Sequence, residues 1–140
     1  MAAVSDAEVR VVGPAGDYLG KQGLTYATGI TAETAGTRGV CLTSLTIPPG
    51  ARARVHYHED IETVAYILDG ELVLWYGARV ERQVRVRAGE YLYVPANVPH
   101  APENDGHRPC RAVVGHSAGD DQAGIVMLPE LDERLAALTR

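Results

Sequence analysis

The 140-residue chain fits one domain with a single core, and its 46% hydrophobic and 22% charged residues are ordinary for a globular protein. Its 13 basic and 18 acidic residues give a net charge of −5 with no long basic cluster, which argues against nucleic acid or an anionic membrane as the main partner. No apolar run approaches the ~18 residues of a membrane span, and the first residues lack a basic segment followed by a long apolar core, so the expected location is cytoplasmic.

Residues 1–37 carry little pattern. Glu8 to Val12 reads as a strand, with Val9 and Val11 alternating against Arg10, and Gly13-Pro14 and Gly16-Asp17 read as turns. The polar, Gly/Thr-rich TYATGITAETAGTRG is expected at the surface with a short helical turn. The texture changes at VCLTSLTI, whose continuous apolar, β-branched run predicts a buried strand ended by Pro48-Pro49-Gly50. Cys41 and Cys110 sit within apolar runs and read as small buried side chains rather than a disulfide.

Gly50 to Gly70 is the stretch that bears chemistry. His56 and His58 are two residues apart, so on a strand both imidazoles project from one face and can reach one point. Glu59-Asp60-Ile61 can then turn the chain, and Glu62 opens a second apolar strand that ends at the tight-turn pair Asp69-Gly70. Two histidines and a carboxylate at one point form a facial arrangement for a divalent first-row metal with open positions. Asp60, which shares parity with His58, is the alternative ligand if Glu62 points elsewhere.

Downstream, ELVLWYG and ERQVRVR alternate, which places Gln83, Arg85 and Arg87 on the wet face of a sheet. YLYVP follows a turn at Ala88-Gly89-Glu90, with Tyr91 and Tyr93 assigned to the core. His100 lies in the Pro-rich corner VPANVPHAPEN and is a further candidate ligand, whereas His107 reads as a solvated loop residue. CRAVVGH is another strand, and its His116 either lines a pocket or, as is more usual for a lone strand histidine, is simply packed. After the loop SAGDDQAG and the run IVMLP, Leu131, Leu135 and Leu138 mark one stripe of a short helix over about 129–139. Many short strands with regular turn signals and little helix predict an all-β, antiparallel sandwich or barrel of jelly-roll type.

Gly50, His56, His58, Glu62 and Gly70 resemble the first cupin motif: Gly, five residues, HxH, three or four residues, Glu, six residues, Gly. Gly89, Pro95, His100 and Asn104 resemble the second. Two departures stand out. Seven residues separate Glu62 from Gly70 where six are usual, which predicts a bulge or a longer turn, and Asn97 stands where the second motif has Gly. The ETAG segment and the LPELD ending are also similar to small single-domain bacterial cupins.

The resemblance implies one cupin domain over 1–140, a double-stranded β-helix with its barrel core at about 38–128. It also implies a metal held near the axis by His56, His58, Glu62 and His100. Fe(II) or Mn(II) is the first expectation for that metal and Zn(II) or Ni(II) the second, since imidazole and carboxylate suit all of them. Tyr66, on the face of Glu62, and Arg54, on the face of His56, are candidate pocket residues, and Arg52 is a more distant one. The expected partners are a small-molecule substrate and a second copy in a homodimer. Three functions compete: an oxygenase acting on a small chelating metabolite, a redox-silent isomerase, decarboxylase or cyclase, and a non-catalytic ligand-binding module. The oxygenase is favoured by analogy alone. A metal-free sugar epimerase is disfavoured because every ligand position has a candidate.

Overall fold

Period-two alternation of apolar residues builds most of this chain into strands, and the alternation decides which faces meet. The structure, a computed structural model, describes residues 3–139. One sheet contains β1 (Asp17–Leu19), β2 (Thr25–Ile30), β3 (Cys41–Ile47), β5 (Thr63–Asp69), β8 (Tyr91–Val94) and β10 (Cys110–His116), in the order β1-β2-β3-β10-β5-β8. The second contains β4 (His56–His58), β6 (Glu71–Tyr76), β7 (Arg82–Arg87), β9 (His100–Glu103) and β11 (Ile125–Met127), in the order β11-β4-β9-β6-β7. Every pairing is antiparallel. The helices are α1 (Ala32–Ala35) and α2 (Pro129–Leu138), so the fold is an all-β jelly roll with a short C-terminal helix.

The main core lies between the two sheets. Leu45, Ile47, Ile67, Leu72, Leu74, Val86 and Val94 are buried there. β3 alternates rather than being buried throughout: Cys41, Thr43, Leu45 and Ile47 point inward, while Leu42 is 47% exposed. A two-layer antiparallel sandwich covers one face of each sheet, which is why a continuous apolar run here does not mean burial on both sides. The β5–β6 turn depends on Gly70, which has φ 75° and sits where a Cβ would lie 2.6 Å from the Pro109 carbonyl oxygen.

A smaller core lies outside the second sheet. There Leu135 and Leu131 of α2 pack with Val55, Ala101, Val80 and Trp75. α2 begins with Pro129 and carries Glu130 and Asp132 in its first turn, a favourable start for a helix. Asp132 Oδ1 accepts the Val55 N–H at 2.7 Å, and the Leu128 N–H donates to the Val55 carbonyl at 3.0 Å. The helix thus grips the residue that precedes His56.

Three expectations fail. Thr25–Ile30, expected at the surface without regular structure, is strand β2, paired with β3 and burying Tyr26. Glu8 to Val12 forms no strand; Val9 and Val11 are 92% and 97% exposed, with no partner strand beside them. Tyr91 and Tyr93 lie on the outer face of β8, not in the core, because Leu92 and Val94 take the inward parity. Among the described residues, no helix is long and apolar enough to cross a membrane.

Candidate metal centre

β4 and β9 are hydrogen-bonded neighbours, and His56 and His100 are direct register partners. β4 alternates buried, half-buried, buried, so His56 and His58 point into the barrel while Tyr57 faces the other way. The result is a cluster of three buried histidines, His56, His58 and His100, each offering a ligand atom within 4.8 Å of the others. Asn97 helps to hold the two corners together. Its N–H donates to the His58 carbonyl at 3.1 Å, and its Oδ1 accepts the Asp60 N–H at 2.9 Å. It has φ 67°, the left-handed conformation that Asn tolerates better than most residues.

The hydrogen bonds select a ring nitrogen. His56 Nδ1 lies 2.7 Å from the Arg54 carbonyl and His100 Nδ1 lies 2.9 Å from the Val98 carbonyl, each two residues back. A carbonyl can only accept, so both rings carry hydrogen on Nδ1 and keep the Nε2 lone pair. This is how metal-binding histidines are commonly oriented. His58 differs, since its Nδ1 is buried with no hydrogen bond of good geometry, only a weak contact to the Ala123 backbone. Leaving such an atom unsatisfied costs about 1–3 kcal/mol, so the ring is poorly explained by packing alone.

All three imidazoles are held neutral. Burial is the main cause for each and outweighs the backbone carbonyl bonds of His56 and His100. For His58, burial followed by repulsion from His116 and His56 brings the group down to about 4. Three neutral imidazoles clustered in a barrel suit a divalent cation, which needs the unprotonated nitrogen.

The expected carboxylate is not in this cluster. Glu62 is exposed on the outer face of the first sheet, where the Tyr93 hydroxyl donates to it. The inward position belongs to Thr63, which is 6% exposed. Leaving six residues before Gly70 points to Thr63, and the extra residue is taken up by a bulge in β5: the register with β10 passes from Ile67–Ala112 to Asp69–Arg111 and leaves Leu68 unpaired. Asp60 is also exposed, in a turn at φ 57°.

The candidate pocket residues also lie elsewhere. Tyr66 shares the outward parity of Glu62, and its ring packs against Tyr91, with centroids 4.7 Å apart. Arg54 is exposed and contributes only its backbone carbonyl. Arg52 reaches Thr139 on α2, Nη1 to Oγ1 at 3.0 Å.

His116 belongs to the wall of this site rather than to plain packing. It projects from β10 toward the cluster, its ring centroid 4.5 Å from that of His58. Both nitrogens are engaged, Nδ1 with Thr63 Oγ1 at 2.9 Å and Nε2 with Asp121 Oδ1 at 2.9 Å. Asp121 comes from the loop after β10 and also accepts from Tyr18 and Gln122. The signal in the sequence was parity: His116 pairs across the sheet with Thr63.

The cavity before these groups has a volume of about 50 Å³, and Ala65, Leu74, Leu92, Val94 and Val114 supply its apolar walls. The fold recurs in solved structures. A protein of Thermotoga maritima described as a predicted oxalate decarboxylase superposes with a TM-score of 0.60 at 22% identity, over 87% of this chain and all (100%) of that one. An oxalate decarboxylase superposes with a TM-score of 0.67 at 18% identity, over 91% of this chain and 35% of that one. At such identities the likeness shows a common fold. In sequence, 60 residues are 33% identical to quercetin 2,3-dioxygenase of Bacillus subtilis, which is 43% of this chain but only 17% of that enzyme. The family model for the cupin domain matches residues 43–116, more than half of the chain and the segment that carries all three clustered histidines. The chain belongs to the cupin family.

Proposed function

We propose that this protein is a metal-dependent cupin enzyme in which His56, His58 and His100 hold one divalent transition metal, and that it oxidises or cleaves a small, oxygen-rich metabolite. The observation that carries this reading is the convergence of three buried, neutral imidazoles, two of them with Nδ1 already bonded to backbone carbonyls. Fe(II) or Mn(II) is placed ahead of Zn(II) or Ni(II). Imidazole donors accept all four, and the likeness to a dioxygenase supports a redox-active ion. When bound, such an ion supplies a Lewis-acidic, redox-active centre with open positions.

The chain's own residues set what can approach. With Thr63 in the inward position, no Asp or Glu lines the cavity to offset an ion's charge. That favours a substrate presenting an ionised oxygen, such as an enolate or a 2-oxo acid. Thr63 and His116, tied to each other and to Asp121, form the polar part of the wall. Leu74, Leu92, Val94 and Val114 keep the surroundings apolar and short of water.

The test uses protein purified without chelators, loaded with Fe(II) under anaerobic conditions and then mixed with 2-oxo acids and enediols. Oxygen uptake by the wild type and none by His56→Ala supports the proposal. Turnover that proceeds without oxygen and survives replacement by Zn(II) points instead to a Lewis-acid isomerase or decarboxylase. Saturable binding with no turnover under any metal identifies a ligand-binding module.

A further inference from the structure

Next to the histidine cavity lies a second space, and the two share Leu74, Leu92 and Val94 as walls. It has a volume of about 210 Å³. It opens between β7 and β8, each an edge strand of its sheet and not hydrogen-bonded to the other. Val84 lines the β7 side, and Tyr76, Pro95 and Val98 complete it. Neither space has a Lys, Arg, Asp or Glu in its lining. Arg82, which shares the inward parity of Val84, is drawn off at the rim: its guanidinium lies 4.8 Å over the Tyr76 ring and its Nε 3.6 Å from Glu81. The hydroxyl of Tyr93 is likewise turned outward, onto Glu62.

We infer that this cleft seats the apolar body of the substrate, a single aromatic ring or a short branched alkyl chain, while a chelating oxygen head enters the histidine cavity. The inference rests on the metal reading above and adds the substrate class. The volumes divide the ligand. About 50 Å³ leaves room for a head of only a few atoms, since a cavity of ~10–15 Å³ on the same measure holds one water. About 210 Å³ accommodates one ring, given that an apolar cavity of ~150 Å³ binds benzene. A carboxylate placed in the cleft would lose its water and meet no cationic partner, and oxalate, small enough to sit wholly in the head cavity, would leave the cleft empty, so the preferred ligand is neither a longer dicarboxylate nor oxalate.

The experiment titrates the Co(II)-loaded protein with three chelators, benzohydroxamate, acetohydroxamate and oxalate. Binding is followed by the visible spectrum of the cobalt, and metal content is measured separately. Benzohydroxamate is expected to bind about tenfold or more tighter than acetohydroxamate, the size of effect for moving a ring out of water, and tighter than oxalate. Val84→Trp fills the cleft from a residue that is 42% exposed, so the fold tolerates it. This variant should keep its cobalt and its affinity for acetohydroxamate while losing the advantage of the phenyl compound. Equal affinity for the two hydroxamates, preference for oxalate, or an undiminished phenyl advantage in Val84→Trp overturns the inference and leaves the metal site standing. Failure of the wild type to take up cobalt overturns the metal reading, and this inference with it.

Discussion

Asp121 and His116 lie 2.9 Å apart, Oδ1 to Nε2, on the wall that faces the three histidines, and both are buried. Burial alone would raise the Asp121 carboxyl, but hydrogen bonds from His116, Tyr18 and Gln122 outweigh it and hold the group below the usual carboxylate range. Through Tyr18 the same carboxylate fastens β1 to the loop after β10. Asp121→Ala should therefore cost roughly 3 kcal/mol in urea unfolding, because several buried donors lose their acceptor at once. Asp121→Asn should cost less. A loss under about 0.5 kcal/mol for the alanine variant, the range of an ordinary surface change, would show that the network does not hold the wall.

The ligand set can be read from metal content. Alanine at His56, His58 or His100 should lower affinity by more than the roughly 10–100-fold typical of losing a supporting residue around a metal. Glu62→Gln should retain full metal content, because that side chain points away and bonds Tyr93. Thr63→Glu puts a carboxylate at the inward position and should tighten metal binding. Loss of metal from Glu62→Gln would mean that β5 shifts by one residue when the ion enters.

Stability of the metal-free protein should fall with acid in a particular window. His58 is depressed from 6.5 to about 4 by burial and its histidine neighbours, and His56 and His100 are also depressed, chiefly by burial. Above the unfolded value of about 6.5 these rings are neutral in both states and impose no penalty. Between about 6.5 and 4 the unfolded chain gains protons that the folded one refuses, so stability is lost as pH falls. Each unit of depression corresponds to about 1.4 kcal/mol. Thermal melts across this range should show the decline, and His58→Asn should flatten it. A melt temperature independent of pH there would contradict the neutral cluster.

α2 should matter to the site as well as to the fold. Leu135 is fully buried, and Leu135→Ala is expected to cost about 2–4 kcal/mol. Because Asp132 and Leu128 bracket the backbone of Val55, loosening the helix should also free the start of β4 and weaken metal retention by His56. Chemical denaturation together with metal analysis of the variant checks both effects. Unchanged metal affinity in a destabilised protein would separate the helix from the site.

Much of the barrel was legible because His56, His58 and His100 sit in local patterns with definite meanings: alternate residues on a strand and a proline-bounded corner. The fourth position was misread for a physical reason. The span from Glu62 to Gly70 differs by one residue from the pattern, and on a strand one residue reverses the face. Thr63 has no charge to attract notice, so the acid beside it took the role. β8 is apolar at every position, so its sequence does not show that Tyr91 and Tyr93 face outward, and only its pairing with β5 decides the parity. Glu8 to Val12 alternates correctly but has no neighbouring edge to pair with, and alternation without a partner makes no strand. Asp121 could not be foreseen, since nothing in the loop SAGDDQAG says which of two adjacent acids turns inward.

His56 and His100 are neighbours across β4 and β9, but β5 through β8 separate them along the chain. A partly folded chain lacking β9 would offer an ion only the pair on β4, so tight binding would wait until β9 joins the second sheet. The metal should then slow unfolding far more than it speeds folding. Added after synthesis, it would act as a latch on a finished barrel rather than as a seed for one.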